Sequence, residues 1–421
     1  MADVLELADQ LWRGEKTTVD INPITFTGDL VEVMDRTAFV PSFANVAAFA
    51  TEDGLVLVDT GSQFMARVVH GHIRAWNDKP LHTAVYSHGH IDHVFGVPVF
   101  EEEATTNGWA MPRVIAHEAL PPRFDRYILT AGYNGVINQR QFRAPNLHWP
   151  TEYRYPDETY RDLLRLDVGG ETFELHHARG ETDDHTWTWV PERKVLCCGD
   201  LFIWASPNAG NPQKVQRYPK EWANALRVMV GLGAEVMLSG HGLPIIGNDR
   251  ITQALTDTAD LLDSLHDQTV EMMNQGARLD EIIHTVKAPD GLLDKPYLRP
   301  VYDEPEFIVR NVWRLYGGWY DGNPAHLKPA PEAELARELA ELAGGASVLA
   351  DRATALAAAG NMRLACHLAE LAAQAAPDDA GVHAARAQVF TARTETELSV
   401  MSRGIYSWAA SESEGRPSGA Q

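Results

Sequence analysis

One stretch, Ser87-His88-Gly89-His90-Ile91-Asp92-His93-Val94-Phe95-Gly96, constrains this chain more than any other. It follows the apolar run Thr83-Ala84-Val85-Tyr86, which reads as a buried strand of a few residues. The strand runs out into a turn that carries three histidines and one aspartate within six positions. In α/β proteins the carboxyl ends of strands are where ligands bind. Neutral imidazoles beside a carboxylate suit a borderline transition metal such as zinc. His88 and His90 are spaced to grip one ion, and Asp92 and His93 to face a second.

Three more apolar runs end in the same way. Leu55-Val56-Leu57-Val58 exits at Asp59, Val195-Leu196-Cys197-Cys198-Gly199 at Asp200, and Val236-Met237-Leu238-Ser239-Gly240 at His241. Continuous apolar runs fit strands buried on both faces of a layered α/β domain. Between the expected strands 171–177 and 186–190 lies Ala178-Arg179-Gly180-Glu181-Thr182-Asp183-Asp184-His185, which adds Glu181 and His185. Each of these residues is weak evidence alone. With the first cluster they make a set of the right size for two metals. Asp59 has two readings: a carboxylate that orients a metal-ligating histidine from behind, or the cap of the following helix.

The rest of the chain sets the scale and excludes partners. With 421 residues, 45% of them hydrophobic, it is long enough for two to three domains and a sizeable core. A formal net charge of -22 disfavours a nucleic-acid partner, which needs clustered Lys and Arg. Three cysteines, with Cys197 and Cys198 adjacent, make no disulfide framework, so a reducing, cytoplasmic compartment is expected. The start, Met1-Ala2-Asp3-Val4-Leu5-Glu6, lacks a basic segment followed by an apolar one. No apolar run approaches the roughly 18 residues of a membrane span.

A short helix is expected from Leu5 to Trp12, then β-rich segments at Ile24-Thr25-Phe26 and Leu30-Val31-Glu32-Val33, a hairpin turn at Glu52-Asp53-Gly54, and helices over 62–78 and after Gly96. Residues 118–165, rich in Pro, Tyr and Arg, show no regular period. They read as an ordered but irregular insertion covering a substrate, with packing over the domain edge as the plainer alternative. Residues 251–285 and 330–392 have helical periodicity. Breaks at Gly344-Gly345, Gly360-Asn361 and Pro377-Asp378-Asp379 divide the latter into three or four helices in antiparallel pairs. The part from Ala359 to Pro377 is similar to one tetratricopeptide-like helix pair, in a single copy. The small, polar tail from Ser411 is expected to be disordered.

The ordered series His88-x-His90-x-Asp92-His93, Gly180-Glu181-Thr182, Gly199-Asp200 and Gly240-His241-Gly242, over roughly residues 25–250, resembles the metallo-β-lactamase superfamily. The resemblance implies an α/β fold, a four-layer αβ/βα sandwich with two metal ions at one sheet edge. Most members carry a histidine in the third motif; Glu181 in its place resembles the alkylsulfatase branch. Leu265-His266-Asp267-Gln268-Thr269, Met273-Asn274-Gln275-Gly276 and the run from Tyr316 to Ala325 resemble the helical dimerisation domain of that branch. The implied organisation is a catalytic domain at 1–250, an all-α dimerisation domain at 251–395 and a C-terminal segment at 396–421. Two features depart from the branch. Its members usually continue into a sterol-carrier-like domain, which the sequence to residue 421 does not contain. The segment from Leu201 to Pro212 does not match, residue by residue, the His, Asn, Tyr and Arg with which the family addresses sulfate.

The resemblance further implies two divalent ions per chain, zinc foremost, that activate a shared water. His88, His90 and Glu181 would hold one ion, Asp92, His93 and His241 the other, with Asp200 between them. Asp92 and His185 are the catalytic candidates, His185 as general acid or rival ligand, with a merely solvated histidine as the alternative. The implied activity is hydrolysis of alkyl sulfate esters by a homodimer. A lactonase, thioesterase or other carboxylic-ester hydrolase is the alternative. A non-catalytic dimeric scaffold is disfavoured because no ligand position is lost. The implied partner is a small-molecule ester, with no nucleic acid and no membrane span. The 118–165 insertion and Trp204 are expected to wall the alkyl tail, with short or medium esters preferred over long ones.

Overall fold

The computed structural model describes residues 4–22 and 25–415. Its first sheet takes its strands in chain order: β1 (Val31–Met34), β2 (Thr37–Val40), β3 (Val46–Ala50), β4 (Leu55–Val58), β5 (Leu81–Val85), β6 (Arg113–His117) and β7 (Glu158–Tyr160). β1 to β4 form an antiparallel meander, and β4 to β7 run parallel. The second sheet holds β8 (Leu163–Val168), β9 (Glu171–His177), β10 (Thr186–Val190), β11 (Val195–Gly199), β12 (Val236–Ser239) and β13 (Ile245–Ile246), in the order β13-β12-β11-β10-β9-β8. There β11 and β12 are parallel and the other pairs antiparallel.

Burial on both faces explains the apolar runs. Phe39, Phe49, Val56, Val85 and Ile115 of the first sheet meet Phe173, Leu175, Val190, Val195 and Leu238 of the second. The opposite face of the first sheet is covered by α2 (Ala66–Trp76), α3 (Val97–Asn107) and α4 (Leu120–Leu129), through Val69, Ile73, Phe100 and Phe124. The opposite face of the second is covered by α1 (Val4–Trp12), α6 (Pro219–Val230) and α7 (Asn248–Asn274), through Leu7, Leu11, Trp222, Leu226, Leu255 and Leu262. The result is the expected four-layer αβ/βα sandwich, followed by a helical C-terminal region. A buried ion pair ties its sheets together. Arg193, just after β10, pairs with Glu171 and donates to the Ala50 carbonyl and Thr37 Oγ1 of the first sheet.

The chain divides into two units, one of residues up to Leu129 with Pro150–Gly318, the other of Thr130–Trp149 with residues from Trp319 onward. α7, α8 (Leu279–Thr285) and α9 (Pro305–Gly317) thus belong with the sandwich, and Leu261, Leu265, Ile282, Ile308 and Val309 are buried in its core. The second unit contains α5 (Ala131–Phe142), α10 (Glu332–Ala343), α11 (Ala346–Ala358), α12 (Met362–Ala375), α13 (Ala380–Glu395) and α14 (Val400–Ser413). Its core is rich in alanine, with Ala340, Ala353, Ala365, Ala369 and Ala372 buried. The helix breaks fall where the glycines and Pro377 place them, and Asp379 caps α13 by accepting from the amides of Gly381 and Val382.

Three expectations change. Residues 118–165 are not irregular: they contain α4, α5 and β7. Pro121 and Pro122 sit in the first turn of α4, where the missing N–H costs nothing, so they start a helix where they look like breakers. The β-rich lead-in reduces to β1; Phe26 is in no strand, and Ile24 lies outside the described residues. The start of the expected disordered tail, Ser411–Ser413, is the end of α14, and residues 416–421, like Met1 to Asp3, lie outside the described residues. Among the described residues no helix is long and apolar enough to cross a membrane.

Candidate metal centre

β4, β5, β11 and β12 deliver their ends to one edge of the sandwich, and the expected ligand residues converge there. His88, His90, Glu181 and Asp200 form one group able to hold a metal ion, and Asp92, His93 and His241 a second. His88 Nε2 lies 2.8 Å from His90 Nδ1 and 3.8 Å from Glu181 Oε2. His241 Nε2 lies 3.4 Å from Asp92 Oδ2, and His93 Nε2 lies 3.7 Å from it. Asp200 stands between the groups, with Oδ2 3.8 Å from His88 Nε2 and 3.3 Å from His241 Nε2, and Oδ1 3.5 Å from His93 Nε2. Close approach of backbone makes this geometry possible: a Cβ on Gly240 would collide with Asp200 Oδ1.

The donor atoms themselves test the fit to metal ions. His93 Nε2, Glu181 Oε2 and Asp200 Oδ1 are buried without a hydrogen-bond partner among the described residues. Buried polar atoms are nearly always paired, and cations at this edge would satisfy all three. Four imidazoles and three carboxylates are a donor set for zinc, manganese or iron. The residues fit divalent metal ions.

The charges agree. Burial pushes His88 and His90 well below the usual imidazole value, leaving neutral rings with lone pairs to donate. Burial also opposes charge on His93, but Asp200, Asp59 and Asp92 outweigh it and raise that group well above its usual value. His241 is raised in the same way, burial being outweighed chiefly by Asp200. Burial works against the Asp200 carboxylate, yet His241 and His93 hold it well below the usual range. Burial, with Arg217 opposing it and Asp200 adding to it, pushes Glu181 well above.

Supporting residues fix the ligands. Asp59 caps no helix, since α2 begins at Ala66 after Met65. Its carboxylate accepts from the Ser87 amide at 2.7 Å, Ser87 Oγ at 2.8 Å and His93 Nδ1 at 2.7 Å. The hydrogen-bond network therefore assigns the His93 proton to Nδ1 and leaves Nε2 for the metal side. His185, expected as general acid or rival ligand, belongs to neither group. Its Nε2 accepts from the Asp200 amide at 3.1 Å, and burial pushes it down to about 4, so that nitrogen has no proton to give. Trp204, expected to wall a substrate pocket, is buried in the core and donates Nε1 to the Leu243 carbonyl at 2.6 Å.

Five supporting residues carry no local sequence signal. Asn45 donates Nδ2 to the carbonyls of Ser239 and Gly242, each at 3.0 Å, and so clamps the His241 turn. Arg123, on α4, pairs with Asp184 at 2.8 Å, and Asp184 accepts from the Gly89 amide at 2.9 Å, joining the two ligand loops. Arg217 Nη1 lies 2.9 Å from Glu181 Oε1 and also donates to the Glu181 carbonyl. Asn208 Nδ2 donates to the same Oε1.

Comparison with known proteins agrees with this architecture. Residues 39–241 match the metallo-beta-lactamase superfamily, and residues 278–416 match the family described as alkyl sulfatase dimerisation. A linear primary-alkylsulfatase of a Pseudomonas sp. is 30% identical over 390 residues, 87% of this chain and 73% of that protein. An (R)-specific secondary-alkylsulfatase of Pseudomonas sp. is 27% identical over 367 residues, 80% of this chain and 55% of that protein. The solved structure of the stereoselective inverting sec-alkylsulfatase Pisa1 from Pseudomonas sp. superposes with a TM-score of 0.84 at 26% identity, covering 92% of this chain and 66% of that one. The chain thus spans only part of the length of these relatives. Its fold, its ordered motifs and these matches together place it in the metallo-β-lactamase superfamily, as a member of the alkylsulfatase family.

Proposed function

We propose that this chain is a binuclear metal-dependent hydrolase of alkyl sulfate esters, with zinc in both sites, acting as a homodimer in the reducing cytoplasm. The observation that carries the reading is the pair of ligand groups joined by Asp200 at one sandwich edge. We assign His88, His90 and Glu181 to one ion, Asp92, His93 and His241 to the other, and Asp200 to both. When bound, a pair of divalent ions lowers the pKa of water and polarises an ester oxygen.

The chain's own residues supply orientation and charge. Asp59 keeps the His93 proton on Nδ1, and His185 fixes the main chain at Asp200. Asp92, on the open side of the second group, is the residue placed to hold a proton taken from water. Four carboxylates (Asp59, Asp92, Glu181, Asp200) balance two divalent ions, and Arg217 leaves one positive charge. That balance favours an anionic ester over a neutral one. Lys214, whose charge interacts with those of Asp92 and Glu181, adds a cation below about pH 7. The relatives named for alkyl sulfates support this substrate class. No specific observation favours a lactonase or thioesterase.

We assign the sandwich with α7 to α9 to catalysis and the helices of the second unit to dimerisation, the match at 278–416 supporting a homodimer. The test is elemental analysis followed by a panel of alkyl sulfates with matched carboxylic esters and lactones. Stoichiometric zinc with turnover of sulfates is expected; turnover of esters or lactones alone overturns the assignment. Light scattering that gives a monomer at micromolar concentration refutes the dimer.

A further inference from the structure

Glu181 is a carboxylate ligand where most of the superfamily has histidine, so it needs what an imidazole does not: a counter-charge and a choice between two oxygens. Arg217 and Asn208 supply both. They engage Oε1 and leave Oε2 bare. Both lie on the stretch between Leu201 and Tyr218, which has no helix or strand of its own. Its conformation is therefore set by tertiary contacts.

Two buried residues of the segment leading into and along α9 make those contacts. Asp303 Oδ2 accepts from the amides of Gly210 at 2.5 Å and Asn211 at 3.2 Å. Asn311 makes a reciprocal pair with the Arg217 backbone: Oδ1 accepts from its amide at 3.2 Å, and Nδ2 donates to its carbonyl at 3.0 Å. Gly210 lies so close to α9 that a Cβ there would collide with the backbone at Phe307 and Ile308. All of this sits within the sandwich unit, yet residues 303–311 fall inside the stretch matched as alkyl sulfatase dimerisation.

We propose that Asp303 and Asn311 are positioning residues for Glu181, acting through Asn208 and Arg217, so that the entry to α9 belongs to the support of the metal centre and not to dimerisation alone. The proposal rests on Glu181 being a metal ligand. Shifting the 208–217 loop withdraws the guanidinium and the amide from Oε1, and Glu181 loses both its counter-charge and its orientation. The other group, Asp92, His93 and His241, is held by Asp59 and Asn45 and does not depend on that loop.

The experiment is zinc titration of the full chain against a chromophoric chelator, with Glu181→Gln, Asn311→Ala, Asp303→Asn and Val309→Ala compared with the parent. Val309 is buried in the sandwich core on the same helix and serves as the control for loosened packing. Glu181→Gln should weaken one of two equivalents. Asn311→Ala and Asp303→Asn should weaken the same equivalent by about 10–100-fold, as loss of supporting contacts does elsewhere. Val309→Ala should lower thermal stability and leave zinc affinity unchanged. Should Asn311→Ala fail to fold, Asn311→Asp, which keeps the acceptor and loses the donor, carries the same test. If Glu181→Gln weakens one equivalent while the Asp303 and Asn311 variants hold both, the proposal fails and the ligand assignment stands. If Glu181→Gln leaves both equivalents intact, the assignment fails and the proposal with it. Equal weakening by Val309→Ala overturns the proposal too.

Discussion

Asp59→Asn is a sharp perturbation of the metal centre, because it replaces one carboxylate oxygen with an NH2 group and removes one charge with almost no change of shape. Asp59 sits at φ 61°, a conformation that asparagine tolerates as well as aspartate, so the backbone has no reason to move. The carboxylate accepts three hydrogen bonds, from the Ser87 amide, Ser87 Oγ and His93 Nδ1. In the variant, the amide oxygen keeps the bond from the Ser87 amide. The new NH2 group then faces Ser87 Oγ and His93 Nδ1 and can only donate. Ser87 Oγ can accept from that NH2 group while His88 Nδ1, 3.0 Å away, keeps its proton and leaves Nε2 free for the metal. His93 can accept only by moving its proton to Nε2, the atom that should face the metal. Binding then requires the old tautomer, two donors confronted, and the loss of a charge-assisted bond worth about 1.5–3 kcal/mol. That corresponds to a loss of about 10–100-fold in affinity, at 1.4 kcal/mol per tenfold. The assay is competition with a chromophoric chelator, resolving two equivalents, alongside the melting temperature of the metal-free protein. One equivalent should weaken in this range while the metal-free protein stays folded. A folded Asp59→Asn variant that held both equivalents at the parent affinity would refute the tautomer argument.

Other outcomes follow from the same geometry. Chelation should abolish hydrolysis and lower the melting temperature by the lost binding free energy, and divalent metal should restore both; activity that survives verified metal removal would refute the metal reading. Burial, reinforced by Arg217, pushes Lys214 down to about 7, so it is charged below that pH and neutral above it. The specificity constant for an alkyl sulfate should therefore fall as pH rises through about 7, and Lys214→Arg should flatten that fall; identical profiles for both proteins exclude Lys214 as the anion's partner. Arg193→Ala leaves Glu171 buried with only the exposed Arg36, 3.5 Å away, as counter-charge and should cost about 3 kcal/mol in denaturant unfolding, the lower end for a broken buried pair, whereas a loss below about 1 kcal/mol would show that the pair does not join the sheets.

Much of this site was legible because its signals are local. A ligand motif that follows a strand needs only the strand to form, and Val85, Gly199 and Ser239 are ends of strands written as unbroken apolar runs. Asp59 was legible as one of two alternatives, and the distance to His93 Nδ1 chose between them. The helix breaks at Gly344-Gly345 and Pro377 were equally plain, since they depend on backbone chemistry within a few residues. Where local chemistry is ambiguous the reading failed. Two prolines mark either a loop or the first turn of a helix, and α4 is the second.

By itself the sequence determined which residue types stand at the strand ends and therefore which side chains are available to metals. Only the tertiary structure decided which way they face. Glu181 and His185 share one turn, four residues apart, and one presents a bare oxygen to the cluster while the other turns to the Asp200 amide. Trp204 looks like a pocket wall in a chain rich in aromatic loops and is core, because Gly242 and Tyr297 close over it. Arg217, Asn208, Asp303 and Asn311 act across 27 to 94 residues of separation, through one or two polar contacts each that leave no period or motif behind. The physical reason is the same throughout. Strand and helix signals repeat along the chain and can be read from it, whereas the direction of one buried side chain depends on a partner that only folding brings within 3 Å.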